Sequence, residues 1–99
     1  MDESPQYGDY WTTLGIAYYR AGEYQLAVDA LETAIELSSF YGSNSCFFLA
    51  MAFFRLGEPA NARAWYDDGL ARLEQDELRY SETVLIRNEA GELLGIEVR

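Results

Sequence analysis

Apolar residues recur along this chain at helical intervals and almost nowhere alternate. Trp11, Leu14 and Tyr18 fall at i, i+3 and i+7, and Ala27, Leu31, Ala34 and Ile35 at i, i+4, i+7 and i+8. Either spacing keeps one face of a helix apolar. Cys46, Leu49 and Phe53 form a third stripe, and Ala62, Tyr66, Gly69 and Leu70 a fourth. A fifth helix is expected over about 76–95, marked by Leu78, Val84, Leu85, Leu93 and Leu94. The helix signals agree with the stripes. Ser4-Pro5 offers a capping oxygen and a residue whose φ is already helical. Gly22 can close the first helix in the left-handed conformation, and Glu23 opens the next, where a negative charge suits the helix dipole. Gly57-Glu58-Pro59 repeats that turn, Ser43 or Ser45 caps the third helix, Asp76 caps the fifth and Gly95 stops it. The expected class is all-α.

The stripes are copies of one another. Displacing the chain by 35 residues lays LGIAYYRAGEYQLA (14–27) over LAMAFFRLGEPANA (49–62), with six identities: Leu14/Leu49, Ala17/Ala52, Arg20/Arg55, Gly22/Gly57, Glu23/Glu58 and Ala27/Ala62. Ile16/Met51, Tyr18/Phe53 and Tyr19/Phe54 keep size and polarity. A duplicated unit of helix, tight turn and helix accounts for this pattern. Small residues, Gly15/Ala50 and Ala27/Ala62, sit where the two helices must approach closely. Tyr18/Phe53 and Leu31/Tyr66 fill the space opposite them. The chain therefore reads as one domain over 1–99: a first hairpin over about 8–41, a second over about 43–75, and a capping helix over about 76–95. That last helix covers the open core and turns Arg79, Glu82, Arg87, Glu89 and Glu92 to water.

The pattern resembles the tetratricopeptide repeat (TPR) family. The family signature W-x₂-L-G-x₂-Y…A-x₃-F…A is met by Trp11, Leu14-Gly15, Tyr18, Ala27, Leu31 and Ala34. The second copy keeps Leu49-Ala50, Phe53, Ala62 and Tyr66 but has Cys46 for Trp and Gly69 for the last Ala. Ser39 stands where the family usually has Pro, and the period exceeds the usual 34 by one. The resemblance covers about residues 5–75. It implies two TPR hairpins and a capping helix in a five-helix right-handed solenoid fragment, with the first helix of each hairpin lining a concave face. WYDDGLARLE and the closing ELLGI are also similar to C-terminal TPR tails of large bacterial multidomain proteins, some with kinase or other signalling domains.

Composition narrows the functional classes. The 99 residues carry 17 acids against 7 bases, net −10, with no His; all seven bases are Arg. This balance argues against nucleic acid and anionic membranes as partners. Without His and with one cysteine, the usual Zn sites and His-dependent catalysis are unavailable. No cofactor is expected. The acidic N-terminus does not look like a signal peptide. The longest apolar run, 46–54, is nine residues against about 20 for a membrane span. A lone thiol fits a reducing compartment, so a cytoplasmic location is expected.

Function should then lie in what the fold does not use. On the first helices of the two hairpins a second face carries Thr12, Ile16, Tyr19 and Arg20, matched by Phe47, Met51, Phe54 and Arg55, with Asn44 just ahead. By the resemblance, these nine line the concave groove. Aromatic residues and Met offer contact area to varied partners, and two guanidiniums suit an acidic group. The expected function is a non-catalytic protein-interaction module binding an apolar segment with an acidic group. The family's carboxylate clamp of Lys and Asn is not expected, because Thr12 and Ile16 occupy those positions. Against this stands a structural reading. The fifth helix packs over Phe54, Met51 or Phe48, and the arginines pair with Glu23 and Glu58. An alternative function is self-association, with Tyr7, Tyr10 and Tyr41 paired across a dimer axis. Asp67-Asp68 read as a solvated face, and Asp2, Glu3, Glu74, Asp76 and Glu77 lack the spacing of a Ca²⁺ loop. Cys46 reads as a small buried hydrophobe, with a reactive thiol at a helix start as the lesser alternative.

Overall fold

A computed structural model describes residues 7–37, 43–75 and 81–96. They form five helices: α1 Tyr7–Arg20, α2 Tyr24–Leu37, α3 Ser43–Arg55, α4 Pro59–Gln75 and α5 Ser81–Leu94. No strand occurs among the described residues. The expected caps at Ser4-Pro5 and Asp76, and Ser39, Tyr41, Leu78 and Arg79, lie outside the described residues. So do the side chains of Tyr7, Ser43, Glu74 and Glu82. Ser45 lies inside α3 and is buried, its hydroxyl 3.4 Å from that of Thr12, so it pins α3 to α1 and does not cap.

The turns form as their residues dictate. After α1 the amide of Gly22 donates to the Tyr19 carbonyl at 3.0 Å and that of Glu23 to the Tyr18 carbonyl at 2.9 Å. This is the Schellman pattern, which needs a left-handed residue, and Gly22 supplies it at φ 87°. The Glu23 carbonyl then accepts the Ala27 amide at 2.9 Å, the first bond of α2. A single residue thus ends one helix and begins the next. Gly57 (φ 82°) and Glu58 repeat the geometry between α3 and α4, where Pro59 takes the first helical position. Gly95 (φ 77°) closes α5 in the same way, its amide reaching the Glu92 carbonyl and that of Ile96 the Gly91 carbonyl.

Helices α1 and α2 form one hairpin and α3 and α4 another. Among the described residues, α3 alone touches all four other helices. Its central position follows from its composition: residues 45–52 are all buried, as expected of a helix apolar all round. Phe47, Phe48, Leu49 and Met51 are withdrawn from water, on the order of 1.5–3 kcal/mol each. Within the hairpins, small residues set the approach. A Cβ on Gly15 would stand 2.6 Å from Leu31 Cγ, and one on Gly69 would stand 2.8 Å from the Phe47 ring. Gly69 therefore replaces the family Ala because Phe47 fills that place. Cys46 is fully buried; its thiol donates to Asp68 at 3.3 Å and Asp68 accepts from Arg72 at 3.2 Å. Burial first, then Asp68, pushes the thiol up to about 12, so it is a packed and protonated group.

Candidate functional site

Helices α1 and α5 flank α3 without touching each other along their backbones, among the described residues. Between them lies a cleft of about 370 Å³ lined by Ile16 and Arg20 of α1, Asn44 and Phe48 of α3, and Leu85, Ile86 and Glu89 of α5. Its walls are mostly aliphatic and aromatic. Two polar features break them. The Asn44 Oδ1 is buried and accepts no hydrogen bond among the described residues, which is costly for a carbonyl oxygen. Arg20 and Glu89 form a forked ion pair, Nη1 to Oε2 at 2.6 Å and Nη2 to Oε1 at 3.0 Å.

This pair is half in water, the side chains being 51% and 40% exposed. The Arg20 hydrogen bonds hold the Glu89 carboxyl below the ordinary carboxylate range, partial burial opposes them, and Arg55 adds a weaker push downward. Arg20 also lies 5.3 Å from the centre of the Phe48 ring and 5.7 Å from that of Tyr19. Arg55 approaches the same end of the molecule from α3. Its Nε donates to the Tyr19 hydroxyl over a long 3.5 Å and its guanidinium lies 5.9 Å from the Tyr24 ring centre. Among the described residues no carboxylate lies within 4.0 Å of it.

The nine residues expected in the groove separate into three groups. Ile16, Arg20 and Asn44 line the cleft. Phe47 and Met51 are fully buried and Tyr19 is 6% exposed, which corrects their placement on an open floor. Phe47 packs against the Tyr66 ring at 5.6 Å, and Tyr19 between Tyr24 and Phe48 at 5.4 and 5.7 Å. For Phe47 and Met51 the physical reason is the uninterrupted run 46–54, which leaves α3 no polar side to present; Tyr19, on α1, is covered by Tyr24, Phe48 and the Arg20 guanidinium. Thr12, Phe54 and Arg55 lie outside the cleft. Thr12 bonds Ser45, and Phe54 lines a smaller hollow of about 110 Å³ with Pro59, Arg63, Leu94 and Ile96. The expected pairing of the arginines with Glu23 and Glu58 does not occur: Arg20 reaches Glu89, and Glu58 accepts from Asn61 at 2.7 Å. Asp67 and Asp68 pair with Arg63 and Arg72 along α4.

Phe48, Leu85, Ile86 and Glu89 line the cleft although none of them is among the nine expected groove residues; Leu85 reads from the sequence as an apolar mark of the fifth helix, Glu89 as turned to water and Phe48 as covered by that helix. A signal for two of them exists in the turn glycines. Six residues before Gly22, Gly57 and Gly95 stand Ile16, Met51 and Glu89; ten before stand Thr12, Phe47 and Leu85. Glu89 and Leu85 are thus the same positions carried to a third helix. The 35-residue displacement hides this, because Gly57 and Gly95 are 38 apart.

Among the described residues no cluster of His, Cys, Asp or Glu is arranged to hold a metal, and no helix is long and apolar enough to cross a membrane. A family model described as tetratricopeptide repeat matches residues 2–42 and 12–77. No curated protein and no solved structure matches the chain.

Proposed function

The chain belongs to the tetratricopeptide repeat family, whose repeats are generally protein-interaction modules, and from that premise we propose that it binds an extended segment of a protein partner in the cleft between α1 and α5. In this reading the repeats are the hairpins over about 8–41 and 43–75, and α5 is both the cover of the core and the second wall of the groove. The module works by binding and not by catalysis, in the cytoplasm. The observation that carries the proposal is the cleft itself, about 370 Å³ between largely apolar walls. In this reading the occupant lies along the cleft and inserts a few side chains. Ile16, Phe48, Leu85 and Ile86 ask for aliphatic or aromatic anchors, and Arg20 for a carboxylate.

Selection of displayed 12-residue peptides on the whole chain, followed by calorimetric titration, tests this. Leu85→Ser and Ile16→Ser are expected to weaken the selected peptides about fivefold to thirtyfold, as losing part of an apolar anchor does. Peptides that bind both variants as tightly as the parent would place the site elsewhere.

A second reading is self-association. Tyr10, Leu26, Leu37 and Leu85 are exposed large apolar residues, and such residues, when contiguous, mark interfaces. Sedimentation velocity from about 5 to 500 μM decides it: a monomer at every concentration removes this reading, and a concentration-dependent dimer supports it.

A further inference from the structure

Arg20 and Glu89 face each other from opposite walls of the cleft, 69 residues apart in sequence. Among the described residues no other side-chain hydrogen bond or ion pair joins α1 to α5. The pair therefore fastens across the opening of the cleft, at the end of α1. Two routes would let a segment in. Lifting α5 away would strip Ala90, Ile86, Leu93 and Leu94 from the core they cover. Parting the ion pair breaks one half-solvated contact, worth a factor of about two to five in an equilibrium, and leaves α5 on the core.

The charges at this end are unbalanced. Arg20 and Arg55 both act on Glu89, yet Glu89 alone answers them: Arg55 has an aromatic face and a phenol hydroxyl for company. A second carboxylate arriving here would meet two guanidiniums sharing one acid.

We propose that Glu89 is a built-in competitor for the partner's acidic group: it latches the groove through Arg20, and it gives up that guanidinium when a carboxylate of the bound segment settles between Arg20 and Arg55. The proposal rests on the cleft being the binding groove. Binding is then regulated by the chain itself. A neutral segment has to share the groove with a closed latch, whereas an acidic one brings its own replacement for Glu89.

The experiment uses the full chain and its Glu89→Gln variant, which is isosteric and substituted at a half-exposed position, with Glu89→Ala as a second opening variant. Displayed random 12-residue peptides are selected on both chains. Dissociation constants are measured for each hit and for its Asp→Asn or Glu→Gln twin. Acidic peptides are expected to bind the opened variants about twofold to fivefold more tightly than the parent, and their neutral twins to gain less. Arg20→Gln is expected to erase the preference for acid over twin. Selection of acidic peptides by the opened variants alone also supports the latch. Acidic peptides that bind the variants no more tightly than the parent overturn it, as do hits with no acid preference on any chain; both results leave the groove standing. If no chain selects any peptide, the groove reading itself fails and the latch falls with it.

Discussion

The guanidinium of Arg20 makes two short bonds to one carboxylate and rests near two aromatic rings, so Glu89 titrates under its influence. Because the folded-state pKa of Glu89 lies below its ordinary value of 4.5, the folded state favours the ionised form. The pair thus contributes stability above that ordinary value and loses it as pH falls through the depressed one. The contribution is small because both groups are about half in water, on the order of 0.5 kcal/mol. Glu89→Gln is expected to lower the melting temperature by about 2–4 °C at pH 7 and by less at pH 2, as falling pH protonates the parent's carboxylate. Calorimetric melting at the two pH values checks this. An equal difference at both would mean that the carboxylate, as a charge, does not matter to the fold.

Among the helices α3 stands apart, and Phe47 shows why. Its ring fills the space that a Cβ on Gly69 would need and touches Tyr66. Phe47→Ala should cost about 3–5 kcal/mol, a large part of the roughly 5–15 kcal/mol available to a domain of this size. Urea unfolding is expected to show that loss, whereas Leu85→Ser, at 67% exposure, should change stability by less than about 0.5 kcal/mol. A mild effect of Phe47→Ala would restore that residue to the groove. The contrast also shows what the sequence made legible. Stripes, turn glycines and the duplication establish five helices and two hairpins, because period and left-handed turns are local properties. The groove was read less well. The repeat match assigned Phe47, Met51 and Tyr19 to an outer face by analogy with Ile16 and Arg20, although nine apolar residues in succession leave a helix no outer face. Glu89 reads as a water-facing residue of the capping helix because its partner lies 69 residues away, and only the count back from Gly95 brings it into register with Ile16.

The whole molecule measures 44 × 32 × 19 Å. Its thinnest dimension is two helix layers of about 10 Å, so every helix but the central one must meet water. This shape spreads the acids over the exposed sides of α2, α4 and the turns, among them Glu23, Asp29, Glu36 and Glu58. At net −10 two such molecules repel each other, with a range of about 8–10 Å at physiological salt. The sedimentation test therefore has a direction. If the exposed Tyr10, Leu26 and Leu37 drive association, raising the salt concentration should strengthen it, because screening removes the opposing charge while the apolar contacts persist.

The turns at Glu23 and Glu58 leave no spare link, since each residue closes one helix with its amide and starts the next with its carbonyl. An inserted or deleted residue there would break one of the two caps and rotate the following helix out of its hairpin. A tolerated change of length is therefore expected only outside the turns, in the stretches of 35 and 38 residues that separate the three turn glycines.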